Sequence, residues 1–312
     1  MIYLRHFGLR EAPFSITPDP SFFYAHEGAQ AALNTLLVAL RSGEGFLKIV
    51  GEVGCGKTVL CRRLLHELRH DCVTAYVPNP DLGPRDLLLA LAVELGLSLP
   101  ASASRHRLQS GLQRCLLEHA ALGRRVVVLI DEAQAMPIRT IESLRLLSNL
   151  ETEKRKLLQM VLFGQPELDA RLARAEVRQL LQRISFSEYL GPMPPVHVPA
   201  YLRHRVRVAA HDAQAVPELF DIQARQAIAH ASAGIPRVIN LLAHKGLLLA
   251  FGEDRMQVTA GHVKLAAADT GGAAVDQTWW SRLLGGRARH AGGSTGAVAG
   301  SRWGLRKTEN GS

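Results

Sequence analysis

Three glycines, Gly51, Gly54 and Gly56, fall within six residues, directly after the apolar run 46–50 and directly before Lys57-Thr58 and a stretch with helical spacing. So many glycines cannot extend a helix or strand without cost, but they let successive backbone N–H groups close around an anion at a helix N-terminus. Lys57 then neutralises β/γ-phosphates and the Thr58 hydroxyl is a ligand for Mg2+. The segment Gly51, Glu52, Val53, Gly54, Cys55, Gly56, Lys57, Thr58 and Val59 is therefore expected to hold a nucleoside triphosphate, ATP, with Mg2+. Cys55 lies where a thiol pKa tends to fall and oxidation would block the site; the simpler reading is a small residue that fits.

A phosphate loop needs carboxylates to become a hydrolase. Val126 to Ile130 is a continuous apolar run ending in Asp131-Glu132. Adjacent residues at a strand's C-terminal end fan toward the ligand crevice, so Asp131 is placed to position Mg2+ and Glu132 to orient or deprotonate water.

An all-apolar strand is what a parallel sheet covered on both faces requires. Strands expected near 46–50, 73–77, 126–130, 159–163 and 184–190 alternate with helical patterns at 29–41, 86–95, 105–122 and 138–150. The expected fold is α/β, a three-layer αβα sandwich of the P-loop NTPase kind with a parallel sheet. Gly191-Pro192-Met193-Pro194-Pro195 ends it, since neither helix nor strand crosses so many prolines. Helical patterns at 198–210, 221–233, 236–251 and 260–268 then predict a small all-helical second domain. Ahead of the core, residues 1–28 carry six of the seventeen aromatic residues, a segment that must pack on something or close over the nucleotide base. The predicted organisation is thus an N-terminal segment 1–28, an ATPase core 29–191, a helical domain 196–268 and a Gly-rich flexible tail 270–312 with an exposed Trp279-Trp280.

The net charge of +9 invites a nucleic-acid reading, but the segment 275–312 holds a net +4 of it and the rest is dispersed. A basic Gly-rich tail is ordinarily solvated, with an anionic membrane surface or nucleic acid as alternative contacts. Cys55, Cys61, Cys72 and Cys115 form no C-x-x-C pair, which argues against structural zinc and disulfides and suits a reducing compartment. The opening residues lack the apolar core of a signal peptide and no apolar run is long enough to span a membrane, so the expected location is cytoplasmic, with peripheral attachment at the inner membrane as a variant.

GEVGCGKT, VVVLIDEAQ, FGQPEL at 163–168, QRIS at 182–185 and GIPRVIN at 234–240 resemble, in this order, AAA+ ATPases of the ExeA type, bacterial proteins of general secretion and pilus assembly. The resemblance extends over roughly residues 3–268 and implies that the helical domain is a lid. It implies that Arg237 is a sensor-2 arginine reaching from the lid to the γ-phosphate, and that Arg183 is an arginine finger acting in trans in a homo-oligomeric ring, with Arg178 as the competing candidate. At the sensor-1 position the family pattern favours Asn or Thr and this chain has Gln165, whose amide can still polarise water.

Longer members of that family continue through a membrane-spanning helix into a peptidoglycan-binding domain, and this chain is expected to lack both. The short form is similar to the ATPase of mannose-sensitive-haemagglutinin (MSHA) type pilus biogenesis. The implied function is ATP–Mg hydrolysis driving assembly of a type IV pilus or a type II secretion-related system, with inner-membrane assembly components as partners. Two alternatives stay open: a DNA-handling AAA+ protein such as a transposition helper, with nucleic acid the less favoured partner, and a nucleotide switch with little turnover.

Overall fold

The computed structural model describes residues 2–147, 156–212, 217–274, 279–280 and 283–284. Five strands form one parallel sheet: β1 (Phe46–Val50), β2 (Cys72–Val77), β3 (Arg125–Ile130), β4 (Leu158–Gly164) and β5 (Ile184–Tyr189), in the order β2-β3-β4-β1-β5. The apolar character of β1, β3 and β4 follows from their central positions, where both faces are covered. Alternate residues feed two cores. Val126, Val128, Ile130, Met160 and Leu162 pack with α3 (Pro84–Glu94), α4 (Arg105–Ala121) and α5 (Ile138–Leu147). Leu47, Ile49, Val127, Leu129, Val161 and Phe163 pack on the other side with α1 (Glu27–Arg41) and α2 (Lys57–Leu68).

Helix α1 shows why it lies there: Ala29, Ala32, Leu33, Leu36 and Leu40 recur at helical spacing and are all buried. Each such leucine contributes about 1.5–3 kcal/mol relative to exposure. The edge strand β5 is different, leaving Phe186 and Tyr189 exposed. Two short helices that the sequence pattern does not announce, α6 (Glu167–Leu172) and α7 (Arg178–Leu181), fill the connection from β4 to β5. They bury only Leu168, Leu172 and Leu180, too few positions to make a visible period. The predicted last residues of the 138–150 helix, 148–150, lie outside the described residues.

After the proline-rich linker come α8 (Val198–Ala209), α9 (Ile222–Ala231), α10 (Pro236–Gly252) and α11 (Ala260–Ala268). The linker is docked: the Met193 N–H donates to the Gly234 carbonyl at 2.8 Å. A Cβ at Gly234 would lie 1.9 Å from the Met193 carbonyl oxygen, and its φ of +75° is left-handed, so glycine is required twice over. The aromatic N-terminal segment runs along these helices. Tyr3 hydrogen-bonds His244 at 2.9 Å, the Arg10 N–H donates to Ala209, and Phe14 meets Phe220 edge-on.

Sheet, helical region and N-terminal segment belong to one compact unit, Met1–Val275, and a second unit covers Asp276–Ser312. The stretch after α11 at first stays in the first unit, with the Thr270 hydroxyl bonded to Ala266 and the Ala274 N–H to Ala231. In the second unit Trp279 and Trp280 contact each other edge-to-face, centroids 5.1 Å apart. Trp280 is fully buried, which corrects the expectation of an exposed pair: an indole's large apolar area favours burial even in a Gly-rich segment. The tail expected at 275–278, 281–282 and 285–312 lies outside the described residues. Among the described residues no helix is long and apolar enough to cross a membrane.

Candidate active site

Strand β1 ends at Val50, and the loop after it turns through Gly54 (φ +84°) and Gly56 (φ +95°) before α2 begins at Lys57. Both angles are left-handed, which is where glycine is needed. A Cβ at Gly54 would sit 2.8 Å from the Arg237 Cβ, and one at Gly51 would sit 2.3 Å from the Leu190 carbonyl oxygen. The loop is pressed between the end of the sheet and the start of α10. Lys57 is buried and donates from Nζ to the Gly51 and Glu52 carbonyls at 2.7 and 2.9 Å. Burial pushes its pKa down, while Glu132, Cys55, Asp131 and Glu52 pull it up. The ammonium is thus held in the loop's own concavity, where an anion would be met.

Asp131 is buried at the end of β3 and accepts from the Thr58 hydroxyl and from the Glu132 N–H. Burial raises its pKa against those two hydrogen bonds. Glu132 adopts φ +50°, a left-handed conformation that swings its carboxylate out of line with Asp131 and into the cleft wall. The strain of that conformation, about 1–3 kcal/mol, is of the kind concentrated at working sites. Glu132 Oε2 accepts from Gln165 Nε2 at 3.1 Å and from Gln134 Nε2 at 2.5 Å. Gln134 Oε1 in turn accepts the Gln165 N–H at 3.0 Å. The two amides hold the carboxylate at the ends of β3 and β4.

Lys57, Thr58, Glu132, Gln165 and Arg237 line one cleft of about 210 Å3. The donor set suits a nucleotide with Mg2+: a glycine-built loop with no room for a Cβ, a cation inside it, and a hydroxyl–carboxylate pair of hard oxygen donors from Thr58 and Asp131. Groups of three or more His, Cys, Asp or Glu that could hold a metal without a nucleotide do not occur among the described residues. Cys55 is buried and its thiol pKa is pushed up, chiefly by desolvation. The low-pKa, oxidisable alternative for Cys55 is therefore set aside in favour of the small residue that fits.

Arg237, at the start of α10, donates its N–H to the Gly54 carbonyl at 3.2 Å, so α10 and the phosphate loop are in direct contact. Arg183 lies between α7 and β5 and Arg178 opens α7; both are exposed and neither lines the cleft of its own chain. Much of the remaining cleft wall comes from the N-terminal segment and α8, including Ser15–Pro18, Phe22–Tyr24, Tyr201 and Arg205. Of this segment, Phe14 and Phe22 are buried, and Phe22 also lines the cleft.

Residues 40–172 match the family described as AAA domain. The chain is 41% identical over 283 residues to general secretion pathway protein A of Aeromonas hydrophila, which covers 91% of this chain and 51% of that protein. The chain is an AAA+ ATPase similar to general secretion pathway protein A. It spans about half the length of that relative. Solved structures share the fold: the Aeropyrum pernix ORC2 protein in its ADPNP–ADP complexes has a TM-score of 0.65 at 17% identity, covering 87% of this chain and 75% of that one. Cdc6p of Pyrobaculum aerophilum gives 0.64 at 16%, covering 82% and 70%. The Thermotoga maritima RuvB Holliday junction branch migration motor gives 0.52 at 16%, covering 84% and 82%.

Sequence reasoning about this AAA+ ATPase missed Gln134 and Arg205. Gln134 belongs to the quoted DEAQ run, and its distance from Asp131 is a signal that could have found it. Nothing in the sequence marks Arg205, one of several arginines on α8, as buried.

Proposed function

We propose that this AAA+ ATPase binds ATP–Mg between its phosphate loop and lid and hydrolyses it with Glu132 as the residue that orients or deprotonates water. Backbone N–H groups from Gly51 to Val59, with Lys57, bind the triphosphate. Thr58 and Asp131 would hold Mg2+, which supplies charge neutralisation at the phosphates. Gln165 and Gln134 fix the Glu132 carboxylate at the cleft, and Arg237 carries nucleotide state to the lid. The observation that carries this reading is the division of labour at the end of β3, where Asp131 is tied to Thr58 and Glu132 is turned into the cleft beside Gln165.

The output of turnover is assembly. Arg183, exposed and outside its own cleft, fits a finger completing a neighbour's site in a homo-oligomeric ring. The relative's name supports service to a general secretion pathway, and a type IV, MSHA-like pilus system is the narrower proposal, with inner-membrane assembly components as partners, a cytoplasmic or peripheral location and the basic tail as a contact for an anionic surface. The test is a pull-down with Glu132→Gln protein held in ATP. Recovery of pilus or secretion inner-membrane components is expected; salt-sensitive recovery of DNA without them would replace this output with DNA handling.

A further inference from the structure

Arg205, in the middle of α8, is 6% exposed, and among the described residues no carboxylate pairs with it. A cation without a counter-charge is retained in a protein interior only where its donors are spent well. Its Nε donates to the Pro13 carbonyl at 2.5 Å, Nη2 to the Ser15 carbonyl at 3.1 Å and Nη1 to the Tyr201 hydroxyl at 3.4 Å. The Tyr201 hydroxyl donates onward to Asn240 Oδ1 on α10 at 2.9 Å. The guanidinium also lies 4.5 Å from the centroid of the Phe22 ring. Two of its three hydrogen bonds thus go to carbonyls of the N-terminal segment, a planar fork gripping backbone from a lid helix.

The same stretch of backbone is gripped again from the opposite body. Arg62, on the helix that opens at Lys57, donates from Nη1 to the Pro18 carbonyl. Between the two grips run Ser15, Ile16, Thr17 and Pro18, and all four line the cleft that Lys57 and Thr58 also line. A four-residue strap is therefore fastened at one end to the lid and at the other to the phosphate-loop helix, and it forms wall that the phosphate loop does not supply. Short loops are normally the most mobile part of a site; two arginines remove that freedom here.

We infer that Arg205 is a positioning residue for nucleotide binding: by pinning the Ser15–Pro18 strap to α8 it fixes the wall that meets the non-phosphate part of the nucleotide. Lid position and grip on that part of the ligand then change together, because moving α8 moves the strap. This rests on the nucleotide reading of the cleft. It separates two contributions to affinity, a phosphate contribution from Gly51 to Val59 and a strap contribution from Arg205 and Arg62, which a small anion and a whole nucleotide sample differently.

The test measures binding of ATP and of inorganic tripolyphosphate to the full chain, parental and Arg205→Met, together with steady-state turnover. Tripolyphosphate engages the phosphate loop but has no base or sugar to meet the strap. Arg205→Met is expected to weaken ATP about ten-fold, the size of a lost set of positioning contacts, and to leave tripolyphosphate within about two-fold. The loss should appear in KM with kcat nearly kept, and Arg205→Lys, which retains charge but not the fork, should recover part of it. Arg62→Met frees the other end and should give the same split, which keeps the test alive if Arg205→Met does not fold. Unchanged ATP affinity, equal weakening of both ligands, or loss of the fold in both variants would overturn the inference. A parental protein that binds neither ligand would overturn the nucleotide reading and this inference with it.

Discussion

Gln165 Nε2 donates to Glu132 Oε2 at 3.1 Å, linking the end of β4 to the end of β3. Adjacent strands in a parallel sheet bring residues 33 positions apart into one hydrogen bond, and Gln134 closes the triangle by bonding both. Gln165→Ala should lower kcat by about 10–100-fold with ATP affinity within about three-fold, since a positioning contact to the water-activating carboxylate is lost. Gln134→Ala should fall in the same range. Steady-state turnover with separately measured nucleotide binding checks both; a parental kcat in either variant would detach that glutamine from catalysis.

Arg183 carries the trans prediction. Arg183→Ala should lose turnover while keeping nucleotide affinity, and mixing it with Glu132→Gln protomers should restore activity above that of either alone, because each supplies what the other lacks. Flat activity across all mixing ratios would remove the trans role, and the same experiment on Arg178→Ala separates the two arginines.

Gly234→Ala introduces a Cβ 1.9 Å from the Met193 carbonyl oxygen at a residue whose φ is +75°. The expected cost is about 3 kcal/mol, seen as a lower midpoint in thermal or urea unfolding. An unchanged midpoint would show that the linker does not dock on the lid as described.

Acid should weaken the fold through three histidines. Burial depresses the pKa values of His26, His204 and His244 below 6.5; His197 adds to this for His26, partly offset by Glu27, and Arg207 and Arg205 add to it for His204, partly offset by a bond to the Phe23 backbone. The unfolded chain takes up protons first as pH falls, so the stabilising contribution is full above 6.5 and is lost as pH drops through the lower folded-state values. Unfolding free energy should therefore decline from about pH 7 to pH 5. His244→Phe should make that decline shallower, and an identical slope would exclude His244 from it.

The sheet and the phosphate loop were legible because their physics is local. Runs such as 126–130 have no polar residue to place, and a loop with glycines at 51, 54 and 56 has few other uses. Helices α8 to α11 were legible from periodicity and from the prolines before them. The short helices α6 and α7 were not, since four to six residues do not complete a period. Arg205 was hidden for another reason: its partners are backbone carbonyls about 190 positions away, and backbone groups leave no trace in a sequence. Gln134 was hidden by its neighbours, because Asp131 and Glu132 already accounted for the chemistry expected of that strand end.

The most direct test of the account is a paired measurement of ATP binding and γ-phosphate release on the parental, Lys57→Ala and Glu132→Gln proteins. Parental protein should bind and hydrolyse, Lys57→Ala should do neither, and Glu132→Gln should bind without cleaving. Micromolar ATP affinity in Lys57→Ala, or hydrolysis by Glu132→Gln at the parental rate, would contradict the assignment of this cleft.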